Sequence, residues 1–330
     1  MKAVVWTKYG PPEVLQLREV EKPAPKENEV LIRVYATTVT AGDCELRRLD
    51  STNLFLMPMR LYLGITKPTR KTILGQELAG EIEAVGMNVT RFRIGDQVFA
   101  WTGIRLGAYA QYTSLPESGV IYSKPSHMTY EEAAVLPVGG LEAIHMLRKA
   151  KIQNGEKALI NGAGGSIGSF AVQLAKHFGA EVTAVDSSGK LDMLRSIGAD
   201  RVLDYTLEDF TKIGKTYDVI YDVIGTSSFS RSLGLLNQNG RYLLGNPGLS
   251  QRIRSRWTSI RDGKKVISWE MARDLEDVNF LHELIEAGKI KSVIDKLYPL
   301  EQIAEAHRYV ESGQKKGNVV IVVTHNQVDL

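Results

Sequence analysis

The chain of 330 residues carries a single cysteine, Cys44, so an intrachain disulfide is excluded and a reducing compartment is the expected setting. It lacks any run of about 18 apolar residues, which removes a membrane-spanning helix. The opening Met1-Lys-Ala-Val-Val-Trp6 is too short for the apolar core of a secretory signal. Charge of one sign is also missing: 41 Lys and Arg stand against 38 Asp and Glu, a net charge of +3. The densest basic stretch, Arg252 to Lys265, is interrupted by Trp257, Ile260 and Asp262 and reads as a solvated face rather than a nucleic-acid surface. These absences predict a cytoplasmic protein with neither membrane nor nucleic acid as partner. The six histidines (His127, His145, His177, His282, His307, His325) never recur at ligand-like spacing. Zinc sites draw three or four Cys, His and carboxylate ligands together, so no metal is expected. A hydrophobic share of 43% with 24% charged residues is that of an ordinary globular protein, long enough for about two domains.

Glycine, by contrast, is concentrated where it carries information. Residues 158–168 read Ala-Leu-Ile-Asn-Gly-Ala-Gly-Gly-Ser-Ile-Gly: a short apolar strand, a glycine-rich turn, and then an amphipathic helix expected over Ser169–Phe178. Gly162 allows the tight turn, Gly164 and Gly165 present no Cβ to a pyrophosphate, and Gly168 lets helix pack on strand. The new helix offers its first amides and the positive end of its dipole to phosphate, so Gly162, Gly164, Gly165, Ser166, Ile167 and Gly168 form the candidate seat of a dinucleotide. A second strand, Glu181–Val185, ends in Asp186, about 20 residues on, where a ribose contact is expected.

The segments on either side differ in style. The first ~120 residues contain short runs of β-formers (Lys2–Trp6, Val30–Thr37, Leu78–Val85, Gln97–Ala100, Gly107–Ser114, Gly119–Ser123) broken by Gly, Pro and Asn, which predicts a partly open barrel-like lobe. From Thr129, an N-cap with Glu132 three residues on, the pattern turns helical, interrupted at Pro137 and Gly139-Gly140. Strands then alternate with helices up to Ser268, predicting a parallel sheet covered on both faces. Later elements (helix Leu275–Ala287, strand Val293–Leu297, helix Leu300–Ser312, strand Asn318–Thr324) are expected to return to the first lobe.

With Lys2-Ala-Val-Val, Gly10-Pro-Pro-Glu-Val-Leu15, Val30-Leu-Ile-Arg-Val34, Gly75-Gln-Glu-Leu-Ala-Gly80 and Arg93-Ile-Gly-Asp-Gln-Val98 preceding the glycine turn, and Ile197-Gly-Ala-Asp200, Gly288-Lys-Ile290 and Gly317-Asn-Val-Val320 following it, the chain resembles the medium-chain dehydrogenase/reductase superfamily along nearly its whole length. Its resemblance is to the zinc-free quinone oxidoreductase-like branch. Zinc-dependent relatives have a cysteine where this chain has Thr40, a Gly-His-Glu where it has Gly75-Gln76-Glu77, and a four-cysteine lobe that it lacks. The resemblance implies an α/β fold: a Rossmann doubly wound parallel sheet over 124–268 and a β-rich GroES-like catalytic domain over 1–123 and 269–330. It further implies a cleft between the lobes and a homodimer joined at the sheet edges.

The cofactor residues point two ways. Asp186 is the type that accepts from ribose hydroxyls and favours NAD. Ser187-Ser188-Gly189-Lys190 offers hydroxyl donors and an ammonium, and the resemblance matches Lys190 and Tyr205 to positions that grip the 2′-phosphate in NADPH-dependent relatives. NADPH is the expectation, with NADH the alternative, and the resemblance adds Gly225, Gly245 and Asn318 to the cofactor-binding set. Without zinc to polarise a carbonyl, conjugated electrophiles are the easiest hydride acceptors, so the expected substrate is a small quinone or an α,β-unsaturated carbonyl compound. Thr40 is the candidate hydrogen-bond donor of the catalytic loop. Asp43 is either an acid of that loop or the cap of a helix expected to begin at Cys44. Tyr62 and Tyr109 read as packing residues or phenolic acids, and Leu54–Leu63, rich in Met, as an apolar substrate wall or a buried structural segment. Two further functions stay open: a zinc-free alcohol or ketone dehydrogenase, and a dinucleotide-binding sensor with little catalysis.

Overall fold

A computed structural model describes residues 1–49, 57–225, 227–245, 263–268 and 274–325. Leu54–Leu56 of the Met-rich stretch and most of the basic stretch after Arg252 lie outside the described residues. The chain divides into two units, Met1–Pro137 with Ile294–Leu330, and Val138–Val293.

The first unit is built on a sheet in the order Ile294–Pro299, Asn318–Val322, Glu29–Thr38, Glu77–Val85, Gln97–Trp101, Val120–Ser123, with Tyr112–Pro116 also paired to Glu29–Thr38. All pairings are antiparallel except that between the two C-terminal strands. Its core gathers Val30, Ile32, Val34, Leu78, Ile82, Val98 and Ile121 with Trp6 and Ile321. The expected strand Gly107–Ser114 begins only at Tyr112, because Gly107 turns through φ +102° after Leu106 at φ +58°.

The second unit holds six parallel strands in the order Arg201–Asp204, Glu181–Asp186, Lys157–Asn161, Tyr217–Asp222, Leu236–Leu244, Lys265–Ser268. Strand order reverses at Lys157–Asn161, the switch point where such sheets take ligands. The strands are nearly continuous apolar runs, as in Glu181–Asp186 where five of six residues are buried, because helices cover both faces. The division differs from the sequence expectation at its edges. Helix Leu275–Glu286 belongs to the second unit, held there by Asp277, which accepts from Arg148 at 2.6 Å and pairs with His145 at 2.8 Å. Helix Tyr130–Ala134 stays with the first unit, where Tyr130 stacks on Tyr35 at 4.5 Å.

Candidate functional site

Each unit carries one half of the expected machinery. In the second, Lys157–Asn161 runs into Gly162 at φ +81°, and the helix begins at Ser166, three residues before the expected Ser169, with Gly165 extended as its N-cap. This brings the first turn of the helix, Ser166, Ile167 and Gly168, next to the glycine turn. The glycines have separate reasons. A Cβ at Gly168 would lie 2.2 Å from the Gly162 carbonyl oxygen, so this residue serves the close helix–strand approach. One at Gly164 would meet the Lys190 stem at 2.5 Å and Asp186 Oδ2 at 3.0 Å. One at Gly165 would meet nothing closer than 3.5 Å. Gly165 is therefore bare without any packing need, which is the cradle a diphosphate requires.

Asp186 faces inward. Its Oδ2 accepts from the Gly164 amide at 2.7 Å, its Oδ1 from the Ser187 amide at 2.8 Å, and Lys190 Nζ sits 2.9 Å from Oδ1. The carboxylate thus ties the glycine turn to the loop after the second strand. Ser188 donates to Asp204, whose carboxyl is held below its usual range by that bond and by those from Thr206. Tyr205 is 53% exposed and free to offer its ring. At the end of the central strand, Asp222 accepts from Asn161 and the Gly225 amide, both at 2.9 Å, from Tyr242 at 2.8 Å, and from Ser227. It fixes the Gly225 turn, at φ +74°, beside Gly245, where a Cβ would stand 2.9 Å from Val223 Cα. Sequence reasoning named Gly225 and Gly245 but missed Asp222; its only sequence signal is an acid closing an apolar strand three residues before a glycine. Asn318 lies in the first unit, buried at the start of the last strand.

In the first unit the catalytic-loop helix spans Ala41–Arg48 rather than starting at Cys44. Thr40 is its N-cap and Asp43 its third residue: the Asp43 amide donates to Thr40 Oγ1 at 3.1 Å, while the Thr40 amide and hydroxyl donate to Asp43 Oδ2 at 2.9 and 2.7 Å. The hydroxyl proton of Thr40 is thus directed at Asp43, not outward as expected of a substrate-binding donor. Asp43 has no accessible surface, and burial pushes its carboxyl from 3.8 up to about 6 against the pull of Thr40, Gln76 and Tyr109. Gln76 Nε2 approaches Oδ1 at 3.4 Å, and Tyr109 hydrogen-bonds the same carboxyl. Tyr62 packs against the core, whereas Tyr109 is part of this buried polar chain.

The chain continues inward to residues that local sequence could not connect. Tyr109 Oη lies 3.2 Å from His307 Nε2, and His307 Nδ1 lies 3.2 Å from Arg47 Nη1 and 3.3 Å from Cys44 Sγ. Arg47, fully buried, also donates to the Gly10 carbonyl at 3.0 Å and to Glu311 at 2.5 Å. A guanidinium can only donate, so Nδ1 must accept, Nε2 carries the proton, and Tyr109 in turn donates to Asp43. Burial, aided by Arg47, pulls His307 down to about 3, and burial pushes the Cys44 thiol up to about 12. Neither is a reactive acid, base or nucleophile near neutral pH.

Comparison with known proteins agrees with this arrangement. Residues 26–126 match a family model described as alcohol dehydrogenase GroES-like domain, and 197–321 one described as zinc-binding dehydrogenase. The 2-methylene-furan-3-one reductase of Solanum lycopersicum is 32% identical over 97% of this chain and 79% of its own length. A quinone oxidoreductase from Coxiella burnetii superposes with a TM-score of 0.87 at 26% identity, covering 98% and 99% of the two chains. The Escherichia coli quinone oxidoreductase complexed with NADPH gives 0.82 at 27% identity over 98% and 100%. The donor set does not fit the metal that one description names. Thr40 and Gln76 offer a hydroxyl and a carboxamide in place of thiolate and imidazole. No three His, Cys, Asp or Glu side chains converge among the described residues. The chain is a member of the medium-chain dehydrogenase/reductase superfamily, in its quinone oxidoreductase-like branch.

Proposed function

We propose that the chain is an NADPH-preferring, zinc-independent reductase of quinones or α,β-unsaturated carbonyl compounds. When bound, the dinucleotide supplies a hydride from its nicotinamide ring. The protein's part begins at Gly165 and the first-turn amides of Ser166–Gly168, which receive the diphosphate. The observation that carries the NADPH preference is the inward posture of Asp186. With its oxygens engaged by Gly164, Ser187 and Lys190, it presents no open carboxylate to a ribose diol and holds Lys190 where a 2′-phosphate would compete for the ammonium. Tyr205 supplies an exposed ring beside it. A donor set without thiolate or imidazole gives no Lewis acid for simple ketones, whereas quinones and enones delocalise the arriving charge. The names of the relatives, a furanone reductase and quinone oxidoreductases, support the same substrate class.

Homodimer formation through the edge strand Lys265–Ser268, which has one neighbour among the described residues, belongs to the same proposal. No described helix is long and apolar enough to cross a membrane.

The decisive assay follows NADPH and NADH oxidation with 1,4-naphthoquinone, 2-cyclohexenone and cyclohexanone, with and without chelator. The proposal expects chelator-resistant turnover of the first two, faster with NADPH. Turnover of cyclohexanone alone would assign a ketone dehydrogenase instead, and tight NADPH binding without turnover would assign a sensor.

A further inference from the structure

We propose that Asp222 is a positioning residue of the dinucleotide seat: its buried carboxylate locks the glycine turn after strand Lys157–Asn161 to the turn after strand Tyr217–Asp222, so that the seat is formed before a nucleotide arrives. This inference rests on the reading that a dinucleotide lodges at Gly165, and adds what holds that seat in shape. All the residues concerned belong to the second unit.

Asn161 and Asp222 are register partners at the carboxyl ends of adjacent parallel strands, the edge where such sheets take ligands. Asp222 Oδ1 accepts from Asn161 Nδ2 and from the Gly225 amide, both at 2.9 Å, while Oδ2 accepts from Tyr242 Oη at 2.8 Å and from Ser227. A carboxylate offers about four lone-pair sites, so these donors fill it. Asp222 has no accessible surface, and burying a carboxylate is costly. The opposite end of the same strand shows that joining the strands does not require that cost. There Asp218 accepts from Asn237 Nδ2 at 2.7 Å and from the Lys157 amide at 2.9 Å, at a partly exposed position. Both acids tie their strand to the same two neighbours. What the buried one adds is the Gly225 turn and Ser227, beside the seat.

The two turns also lie directly on one another. The Val223 amide donates to the Asn161 carbonyl at 3.0 Å, and a Cβ at Gly162 would meet Ile224 Cγ1 at 2.5 Å. Gly162 in turn supports the seat. Its carbonyl oxygen accepts from the Gly165 amide at 3.3 Å and lies 2.2 Å from where a Gly168 Cβ would stand. A shift at Asn161–Gly162 therefore carries Gly165 and the first helical turn with it. On the far side the Gly164 amide donates to Asp186 at 2.7 Å. The glycine turn hangs between a buried carboxylate on each neighbouring strand, Asp186 and Asp222. A seat ordered in advance spares the nucleotide the cost of ordering it.

Hydrogen exchange of the nucleotide-free protein, followed by NMR, reads the lock directly. In Asp222→Ala the Gly225 and Val223 amides should exchange about tenfold faster or more, while the Gly155 amide, bonded to Gly179 at the other end of the sheet, should stay within about twofold of wild type. NADPH affinity, by fluorescence titration, should fall about tenfold. Asn161→Ala keeps the carboxylate and its other donors but cuts the tie between the turns, and it carries the same test where Asp222→Ala does not fold. Val223 should then exchange faster with Gly225 still protected, and NADPH should again weaken. Asp222→Asn should regain most of the affinity lost in Asp222→Ala. Its carbonyl still accepts from Asn161 and Gly225, and its amide donates to the Ser227 and Tyr242 hydroxyls, which turn to accept. Unchanged NADPH affinity in Asp222→Ala or Asn161→Ala overturns the lock. So does exchange at Gly155 that quickens as much as at Gly225, because a general loss of stability would give that pattern. A wild-type chain that binds no NADPH overturns the dinucleotide reading, and the seat assigned to Asp222 goes with it.

Discussion

Burial of Asp43 sets a stability bill that can be read without any substrate. Its carboxyl stands at about 6 in the folded chain against 3.8 when exposed, an interval worth about 3 kcal/mol at 1.36 kcal/mol per pH unit. Because the folded pKa is raised, the folded state holds its proton to higher pH than the unfolded chain does. Below pH 3.8 both states are protonated and nothing is lost. Between 3.8 and about 6 the unfolded chain releases the proton first, which favours unfolding, so stability falls through that window and stays lower above it. Somewhat under half of the loss falls between pH 5 and 7.

Asp43→Asn removes this titration while keeping the size of the side chain. Absolute stabilities of the variant mix lost hydrogen bonds with relieved burial, but the pH dependence of the difference does not. Melting temperatures of wild type and Asp43→Asn measured at pH 5, 6 and 7 should draw apart in the variant's favour by about 3–5 °C over the series, given 2–4 °C per kcal/mol for a unit of this size. The lowered carboxyls of Asp200, Asp209 and Asp218 are common to both proteins and cancel. Parallel curves would refute the argument, since they would mean that Asp43 has the same affinity for protons folded and unfolded.

The remaining predictions concern the cofactor seat and the packing behind the catalytic loop. Lys190→Ala should weaken NADPH by tenfold or more and NADH little, read by fluorescence titration; equal effects would remove Lys190 from the 2′-phosphate. Gly165→Asp should abolish binding of both nucleotides with little change in melting temperature, because the space beside Gly165 is vacant in the protein alone and a carboxylate there would repel the diphosphate. Gly75→Ala should destabilise the first unit by 2 kcal/mol or more in urea unfolding, on the order of the strain expected for a non-glycine residue at φ +97° with its Cβ 2.6 Å from the Tyr109 ring. Arg47→Met should destabilise it by about 1–3 kcal/mol, because the Gly10 carbonyl and the buried His307 Nδ1 lose the guanidinium donor, while Glu311 is partly exposed and keeps Arg48.

What the sequence made legible follows from the range of the interactions concerned. The glycine turn, the alternation of strands and helices, and the Thr129–Glu132 helix start are set by residues a few positions apart, so their spacing displays them. Helix starts were misplaced by three residues at both Cys44 and Ser169, because Thr40 is a cap set by its reciprocal bonds with Asp43 and Gly165 a cap without a side chain, neither of which the apolar period displays. Helix Leu275–Glu286 groups with the second unit, where Asp277 meets Arg148 and His145 from more than a hundred residues earlier in the chain. The surroundings of His307 stay hidden in the sequence for the same reason: its ring meets Arg47, Cys44 and Tyr109 only in the folded unit.

The two acids that the sequence left ambiguous turn out to share one physical logic. Asp186 and Asp43 are both buried, and both are held by main-chain amides at the start of a helix or turn: Gly164 and Ser187 for one, Thr40 for the other. They differ in the charge beside them. Asp186 has the Lys190 ammonium at 2.9 Å, so its negative charge is matched. Asp43 has the neutral donors Thr40, Gln76 and Tyr109 in contact, and Arg47 on the same helix is committed to Glu311, Gly10 and His307. An acid with a matched charge is a strut, and an acid with hydrogen bonds but no counter-ion keeps a proton within reach of neutral pH. That difference, rather than position in a motif, separates the carboxylate that ties two loops together from the one whose proton affinity burial raises.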